Sequence, residues 1–163
     1  MEKTEGKPRK VLFVCLGNIC RSPTAEAMFR NVVGRHGADA RYAVDSAGTI
    51  AYHSGQQPDK RMIVHARRRG IELSHVCRKI QPEDFDDFDL IIGMDAANLR
   101  DLRAMAPSVE AARKVRAMAE FFSPGARYDC VPDPYYEGAE GFELVLDLLD
   151  DACENLFTAL ERP

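Results

Sequence analysis

The sequence has no long hydrophobic run and no excess of positive charge. Its longest apolar runs, such as Val11–Leu16, are far shorter than the roughly 20 residues that a helix needs to cross a bilayer. The 22 Lys and Arg residues against 26 Asp and Glu give a net charge of −4, which does not favour nucleic-acid binding. The amino terminus is polar and lacks the apolar core of a signal peptide. These absences predict a cytoplasmic protein that binds no nucleic acid and does not insert into a membrane.

Patterns for metals, disulfides and nucleotides are missing as well. The 4 histidines lack metal-ligand spacing, and the 5 cysteines are expected to be mostly thiols. After Gly17 neither the second glycine nor the lysine of a nucleotide-binding loop follows. We find no internal repeat or linker. We therefore predict a flexible tail over residues 1–10 and one domain over 11–163, without a metal or a cofactor.

Strand-like and helix-like segments alternate along the chain, which is typical of an α/β fold. We predict a small domain with a central four-stranded parallel sheet, helices on both faces and a phosphate-binding loop between the first strand and the first helix. The predicted strands are 11–16, 41–49, 88–94 and 115–121. Four helices are predicted. The first follows the N-cap Ser22 and has Pro23 as its first residue, the second spans 58–70 and the third spans 95–106. The last helix carries an apolar stripe over 142–160.

The most informative segment is Val14–Pro23, with the sequence VCLGNICRSP. It places Cys15 at the carboxyl end of the first strand, before a loop that leads into a helix. Backbone amides of such a loop can converge on an anion, and the helix N-terminus adds positive potential. These features predict a lowered pKa and a nucleophilic thiolate for Cys15. Arg21 can bind two oxygens of a tetrahedral anion, and Ser22 can donate a hydrogen bond to the sulfur.

The residues Cys15–Ser22 fit the C-x5-R-S/T loop of cysteine-dependent phosphatases. The longer string VLFVCLGNICRSPTAE, over residues 11–26, resembles the low-molecular-weight protein tyrosine phosphatase family. A distant Asp-Pro-Tyr-Tyr at 133–136 strengthens the resemblance, which covers about residues 10–160. Further similarity lies in the short motifs at 45–47, 74–76, 88–89, 94–95 and 98–100.

This resemblance implies hydrolysis of phosphotyrosine and of small aryl phosphates through a phosphocysteine on Cys15, without a metal. Arg21 would bind the phosphate and stabilise the transition state, and Asp133 would act first as general acid and then as base. The implied phosphate-binding residues are Leu16, Gly17, Asn18, Ile19, Cys20, Arg21 and Ser22.

The resemblance also implies supporting roles. Asn18, Ser46 and His75 would hold the phosphate loop in its conformation. Cys20 would form a reversible disulfide with Cys15 under oxidation. The rim of the cleft would be formed by Tyr52 and Tyr135, and the pair at 135 and 136 would be a candidate site of regulatory phosphorylation.

Three alternatives stay open at this point. A thioredoxin-coupled arsenate reductase shares the loop but needs two further neighbouring cysteines, and Cys77 is alone in that region. Protein arginine phosphatases look to carry a threonine where this loop has Ile19. A catalytically silent phosphotyrosine-binding module would lack Cys15, Arg21 or Asp133. We expect a monomer whose partner is a phosphotyrosine-containing protein, with a tyrosine kinase as one candidate.

Overall fold

The computed structural model describes residues 7–135 and 137–162. Within them, four parallel strands form one sheet in the spatial order second, first, third, fourth. The first strand is therefore central, and the predicted four-stranded parallel sheet is confirmed. The strands are β1 Arg9–Cys15, β2 Tyr42–Gly48, β3 Leu90–Gly93 and β4 Val115–Ala117.

Helices connect the strands, as a parallel sheet requires. In the same described ranges they are α1 Arg21–Arg35, α2 Lys60–Arg68, α3 Asp84–Asp87, α4 Ala96–Met105, α5 Val109–Ala112 and α6 Ala139–Glu161. Two short 3-10 turns, Asp39–Arg41 and Met118–Phe121, complete the connections. The helices α3 and α5 have four residues each and were not predicted.

Both faces of the sheet are buried against helices. Val11 and Phe13 belong to a large apolar cluster with α1, α2 and α6. Leu12 and Val14 belong to a smaller cluster on the other face with α4. Each large apolar side chain buried in this way contributes about 1.5–3 kcal/mol. The continuous apolar run of β1 is thus explained by burial on both faces, as predicted.

All four strands differ in their boundaries from the sequence prediction: β2 and β3 are shorter than predicted, and the start of β1 and the end of β4 have clear physical reasons. β1 begins at Arg9, inside the predicted tail, because Arg9 and Lys10 extend the parallel register with β2. β4 ends at Ala117 rather than at residue 121, and a 3-10 turn follows it. The reason is that Gly93, the last residue of β3, pairs with Ala117, so no partner strand continues beyond it.

The start of α1 was also predicted wrongly. Its N-cap is Cys20, and the helix begins at Arg21, so Ser22 and Pro23 each lie two residues further inside the helix than the predicted N-cap and first helical position. Proline is tolerated there because the backbone N–H groups of a first turn have no intrahelical partner. The hydroxyl of Ser22 is consequently not used as a cap.

Two predictions fall wholly or partly outside the described residues. These are the tail over residues 1–6 and any phosphorylation of Tyr136. Among residues 7–135 and 137–162, none of the helices combines the length and the apolar character that crossing a membrane requires.

Candidate active site

The loop of residues 16–20 lies at the carboxyl edge of the sheet. Cys15 ends β1 and is 3% exposed. The segment just after β2 holds the start of the loop, because the Thr49 N–H donates to the Cys15 carbonyl at 3.0 Å and the Ile50 N–H to the Leu16 carbonyl at 3.1 Å. The thiol thus lies at the base of a loop that ends at the N-terminus of a 15-residue helix. The strand–loop–helix arrangement that the sequence predicted is therefore present, and a loop of this kind at a helix N-terminus can bind an anion.

The Cys15 sulfur is contacted by both polar groups of Ser22. The Ser22 hydroxyl oxygen lies 3.0 Å from Sγ, and the Ser22 N–H donates to Sγ at 3.4 Å. The side-chain amide of Asn18 donates to the same hydroxyl oxygen at 2.8 Å. Because that bond uses a lone pair of the hydroxyl, its proton has two acceptors, the sulfur at 3.0 Å and the Ala47 carbonyl at 3.4 Å, and the sulfur is the nearer one. The contact with sulfur that was predicted for Ser22 is therefore present.

Asn18 is the centre of a buried hydrogen-bond network. It is fully buried and has a positive φ of 60°, a conformation that asparagine adopts more readily than most residues. Its side-chain oxygen accepts from the Arg78 N–H at 2.9 Å and from His75 Nε2 at 2.7 Å. Its amide nitrogen donates to Ser46 Oγ at 3.1 Å and to the Ser22 hydroxyl. All four hydrogen-bonding positions of this amide are used, which fixes its orientation.

Glu26 completes this network, although the sequence analysis gave it no role. The carboxylate is almost fully buried and accepts from Ser46 Oγ at 2.7 Å. Its Oε1 lies 3.1 Å from His75 Nδ1. Burial by itself would raise the pKa of Glu26, but hydrogen bonds from His75 and Ser46 outweigh burial and lower it. A signal was available, because Glu26 follows Ser22 by four residues and so shares its helix face.

Arg21 is buried at the start of α1 and is held by two acceptors. Its Nη1 donates to Asp95 Oδ2 at 2.7 Å and to the Val131 carbonyl at 3.0 Å. Burial would lower the pKa of Arg21, but Cys15 and Asp95 outweigh it, so the pKa is raised and the side chain stays charged. Asp95 was not predicted as a site residue. Its position after β3, at the same sheet edge as Cys15, is the signal that could have found it.

Asp133 lies on the loop before α6, close to Arg21 but more open to solvent. Its Oδ2 is 3.8 Å from Arg21 Nη2, and its side chain is 48% exposed. The other carboxylate oxygen accepts from the Tyr135 N–H at 3.0 Å. The structure therefore brings Asp133 to the phosphate loop, as the sequence predicted. A carboxyl group that is both oriented and in contact with water can deliver a proton to a leaving group and later receive one from water.

The other thiols near the loop are buried and protonated. Burial, followed by the nearby Cys15, raises the pKa of Cys20 well above its ordinary value and raises the pKa of Cys77 to about 11. The Cys77 thiol donates to the Asn18 carbonyl at 2.8 Å. All the cysteines are free thiols in this structure. Cys15 differs from Cys20 and Cys77 in that its sulfur is contacted by the N–H and the hydroxyl of Ser22.

The two predicted rim tyrosines approach the site from different sides. Tyr52 is 80% exposed, and its ring packs edge-on against His53 at 4.7 Å. The His53 ring in turn lies against Gly17 of the phosphate loop, so closely that a Cβ at Gly17 would be 3.0 Å from His53 Cδ2. Tyr135 is 39% exposed and is contacted by Arg61 of α2. His53 was not predicted as a rim residue.

A metal ion has one candidate set of ligands among the described residues. Donor atoms of Glu26, Asp45 and His75 lie within 4.8 Å of one another. Both carboxylates already pair with cationic side chains, since Glu26 contacts Arg30 and Asp45 contacts Arg78. These pairs neutralise the acidic groups, so the set is better explained as a support for the phosphate loop.

Comparison with known proteins places this arrangement in a family. The sequence model described as low molecular weight phosphotyrosine protein phosphatase matches residues 10–163. A protein of that name from Schizosaccharomyces pombe is 46% identical over 152 residues, which cover 93% of this chain and 96% of the yeast protein. A solved protein tyrosine phosphatase from Entamoeba histolytica is 44% identical, with a TM-score of 0.91 over 94% of this chain and 97% of that one. A Drosophila arginine phosphatase is 31% identical, with a TM-score of 0.86 over 93% and 98%. The chain belongs to the low-molecular-weight phosphotyrosine protein phosphatase family.

Proposed function

We propose that this protein hydrolyses phosphotyrosine in proteins, and small aryl phosphates, through a phosphocysteine on Cys15. The observation that carries the proposal is the position of the Cys15 sulfur. It is buried at the base of the loop of residues 16–20, with the Ser22 N–H and hydroxyl 3.4 and 3.0 Å away and with Arg21 at the start of the helix that follows. A loop that ends at a helix N-terminus and is followed by a buried arginine can bind a phosphate dianion next to the Cys15 sulfur.

In the first step the Cys15 thiolate attacks phosphorus, and the bond between phosphorus and the phenolic oxygen breaks. Asp133, in its acid form, donates a proton to that oxygen, which leaves as the phenol. The amides of residues 16–22 and the Arg21 guanidinium bind the three equatorial oxygens. These donors are fixed before the reaction, so they stabilise the transition state without reorganising.

In the second step water attacks the phosphocysteine. Asp133 removes a proton from the water, the phosphorus–sulfur bond breaks, and inorganic phosphate and the thiolate are released. The Ser22 hydroxyl, close to Sγ, stabilises the departing thiolate by a hydrogen bond. The loop and Arg21 supply the positive charge that the phosphate needs, so we propose that the reaction requires no metal ion.

Asn18, Ser46 and His75 act by holding the loop, not by touching the reacting atoms. The Asn18 amide joins the Ser22 hydroxyl to Ser46 and His75 through bonds of 2.7–3.1 Å. Tyr52 and Tyr135 would contact the substrate ring at the rim, where their exposed side chains offer aromatic surface.

Cys20 would protect the nucleophile against oxidation. A peroxide would oxidise the Cys15 thiolate to a sulfenic acid, and the Cys20 sulfur would then displace water to form a disulfide. Burial and the raised pKa of Cys20 keep it protonated until that reaction, so Cys15 is oxidised first. We expect peroxide inactivation of the wild type to be reversed by a dithiol, and that of Cys20→Ser not to be. Equal recovery of both would contradict this role.

Two alternative substrates are disfavoured by particular residues. An arsenate reductase needs a reactive relay thiol, but Cys77 donates to the Asn18 carbonyl and has a pKa of about 11. An arginine phosphatase is disfavoured by Ile19 in the phosphate loop, which fits the tyrosine-directed members of the family. We further propose that the protein acts as a monomer in the cytoplasm, with a tyrosine kinase as one candidate substrate.

The test is steady-state hydrolysis of p-nitrophenyl phosphate in EDTA by the wild type, Cys15→Ser and Asp133→Ala. Phosphotyrosine, phosphoserine and phosphoarginine are compared in parallel. We expect metal-independent turnover, no turnover in Cys15→Ser, and a preference for phosphotyrosine. For substrates with poor leaving groups, Asp133→Ala should lose about 10²–10⁴-fold, the usual contribution of general acid catalysis. Turnover by Cys15→Ser, or none by folded wild type, would overturn the proposal, and a preference for phosphoarginine would change the substrate.

A further inference from the structure

Arg61, in the first turn of α2, is tightly oriented although its side chain is 49% exposed. The N-cap residue Asp59 accepts three hydrogen bonds from it. The Arg61 N–H donates at 2.8 Å, Nε at 3.1 Å and Nη2 at 2.9 Å. The two side-chain bonds form a planar fork, which fixes the orientation of the guanidinium as well as its position.

This Asp59–Arg61 unit is attached to the phosphate loop. The Asp59 N–H donates to the Ile19 carbonyl at 2.7 Å. Ile19 lies between Asn18 and Cys20, inside the loop that surrounds the Cys15 sulfur. Any displacement of Asp59 relative to the loop would break this bond.

The opposite edge of the same guanidinium holds the loop that carries Asp133. Arg61 Nη1 donates to the Tyr135 carbonyl at 3.1 Å, and the Arg61 Cζ lies 5.2 Å from the centre of the Tyr135 ring. The ring of Phe142 in α6 lies 4.9 Å from the same Cζ. The N–H of Tyr135 donates to Asp133 Oδ1 at 3.0 Å. Tyr135 is therefore held through its carbonyl by Arg61 while its N–H orients the acid.

We propose that Arg61 is a positioning residue for the general acid. It joins the phosphate loop to the acid loop, and so fixes the Asp133 carboxyl relative to the phosphorus bound above Cys15. This inference rests on the proposed function. An exposed ion pair contributes little to stability, but one that sets the distance between an acid and a leaving group affects the rate strongly. Arg61 does not contact the reacting atoms.

The test measures kcat/KM for a series of phenyl phosphates in the wild type, Arg61→Met and Arg61→Lys. A poor leaving group needs its proton early, so a misplaced acid slows it more than p-nitrophenol. We expect Arg61→Met to lower kcat/KM about tenfold for phenyl phosphate and less than about threefold for p-nitrophenyl phosphate. Arg61→Lys should recover part of the loss, because it keeps the charge but not the fork. The inhibition constant of inorganic phosphate should stay within about twofold, since that anion binds to the loop and Arg21.

A matched control and a double variant separate this role from a general structural one. Arg67→Met removes an exposed arginine of the same helix, paired only with Glu72 among the described residues, and should leave kcat/KM unchanged. In the Asp133→Ala background, Arg61→Met should have no further effect, because no acid is left to position.

Three results would overturn the role of Arg61. They are a uniform loss for all leaving groups, a full additional loss in the Asp133→Ala background, and a large rise in the phosphate inhibition constant. The last would assign Arg61 to anion binding. An inactive wild type would instead overturn the proposed function, so the two failures are distinguishable.

Discussion

The phosphate loop and the acid loop meet at the same sheet edge, but they are built differently. Asn18 in the phosphate loop and Ser22 in the first turn of α1 are fully buried, and every hydrogen-bonding position of the Asn18 amide is used. In the acid loop Asp133 is about half exposed and is oriented by one backbone N–H. The first arrangement suits groups that must not move when charge develops. The second suits a group that exchanges protons with water and admits a bulky substrate.

The phosphate loop therefore contributes to both stability and catalysis, whereas the acid loop contributes to catalysis. Residues beneath the phosphate loop, such as Glu26 and Asn18, should affect both folding and rate. Asp133 should affect the rate alone. The following variants test that division.

The largest expected effect is that of Arg21→Lys. Lysine cannot bind two phosphate oxygens in one plane and would not reach Asp95 and the Val131 carbonyl together. We expect kcat/KM for p-nitrophenyl phosphate to fall about 10²–10³-fold, as when a fixed oxyanion donor is removed. Arg35→Lys, in an exposed pair with Glu154 at the other end of α1, is the control and should have wild-type kinetics. A loss below about threefold for Arg21→Lys would contradict a fixed phosphate site.

The next effect is on stability. Glu26→Gln removes a buried carboxylate that contacts Arg30, Ser46 and His75 and should lower the free energy of unfolding by about 3 kcal/mol. The pKa of Glu26 is lowered in the folded protein from the ordinary value of 4.5. The stability that this carboxylate contributes is therefore complete above that value and is lost as pH falls through the lower folded pKa.

Urea unfolding of the wild type and Glu26→Gln at several pH values checks this prediction. The difference between them should be full at neutral pH and should shrink on acidification below about 4.5. A difference that stays constant with pH would show that the lost packing matters and the charge does not. Glu83→Gln, at the exposed residue before α3, is a suitable control.

A smaller effect on rate is expected from substitutions of Asn18, and two variants separate its backbone from its side chain. Asn18→Gly keeps the positive φ of 60° without strain but removes the amide. Asn18→Ala removes the amide and also strains the backbone. We expect kcat to fall about tenfold or more in both, with Asn18→Ala additionally less stable by about 1 kcal/mol. Equal stability of the two variants would mean that the loop relaxes to another conformation.

The smallest expected effect is that of Asp133→Ala on stability. The side chain is about half exposed, and its nearest cation, Arg21, keeps Asp95 as a closer partner. We expect the free energy of unfolding to change by less than about 0.5 kcal/mol, as for most exposed positions. Thermal or urea unfolding of the same sample used for kinetics is the measurement. A loss above about 2 kcal/mol would show that the acid loop, too, is a stabilising element.

Much of the fold could be predicted because its strands and helices are marked by the local spacing of apolar residues. The continuous apolar run of β1 and the apolar stripe of α6 predicted the correct elements. A strand buried on both faces is apolar at every position, whereas a helix buried on one face is apolar at every third or fourth position. Boundaries were less accurate. The end of β4 at Ala117 depends on where its partner β3 stops, and the start of α1 at Arg21 depends on the hydrogen bonding of the loop. Both boundaries therefore depend on residues elsewhere in the chain.

The sequence by itself determined the parallel α/β fold, the phosphate loop with Cys15 and Arg21, and the candidate acid Asp133, because each is marked by a local pattern or a short motif. Only the tertiary structure decided that Glu26 supports Ser46 and His75, that Asp95 holds Arg21, and that Arg61 joins the two loops. Those contacts join residues up to 74 positions apart in the chain. Their physical basis is the convergence of helix starts and strand ends at one sheet edge, which spacing along the sequence does not reveal.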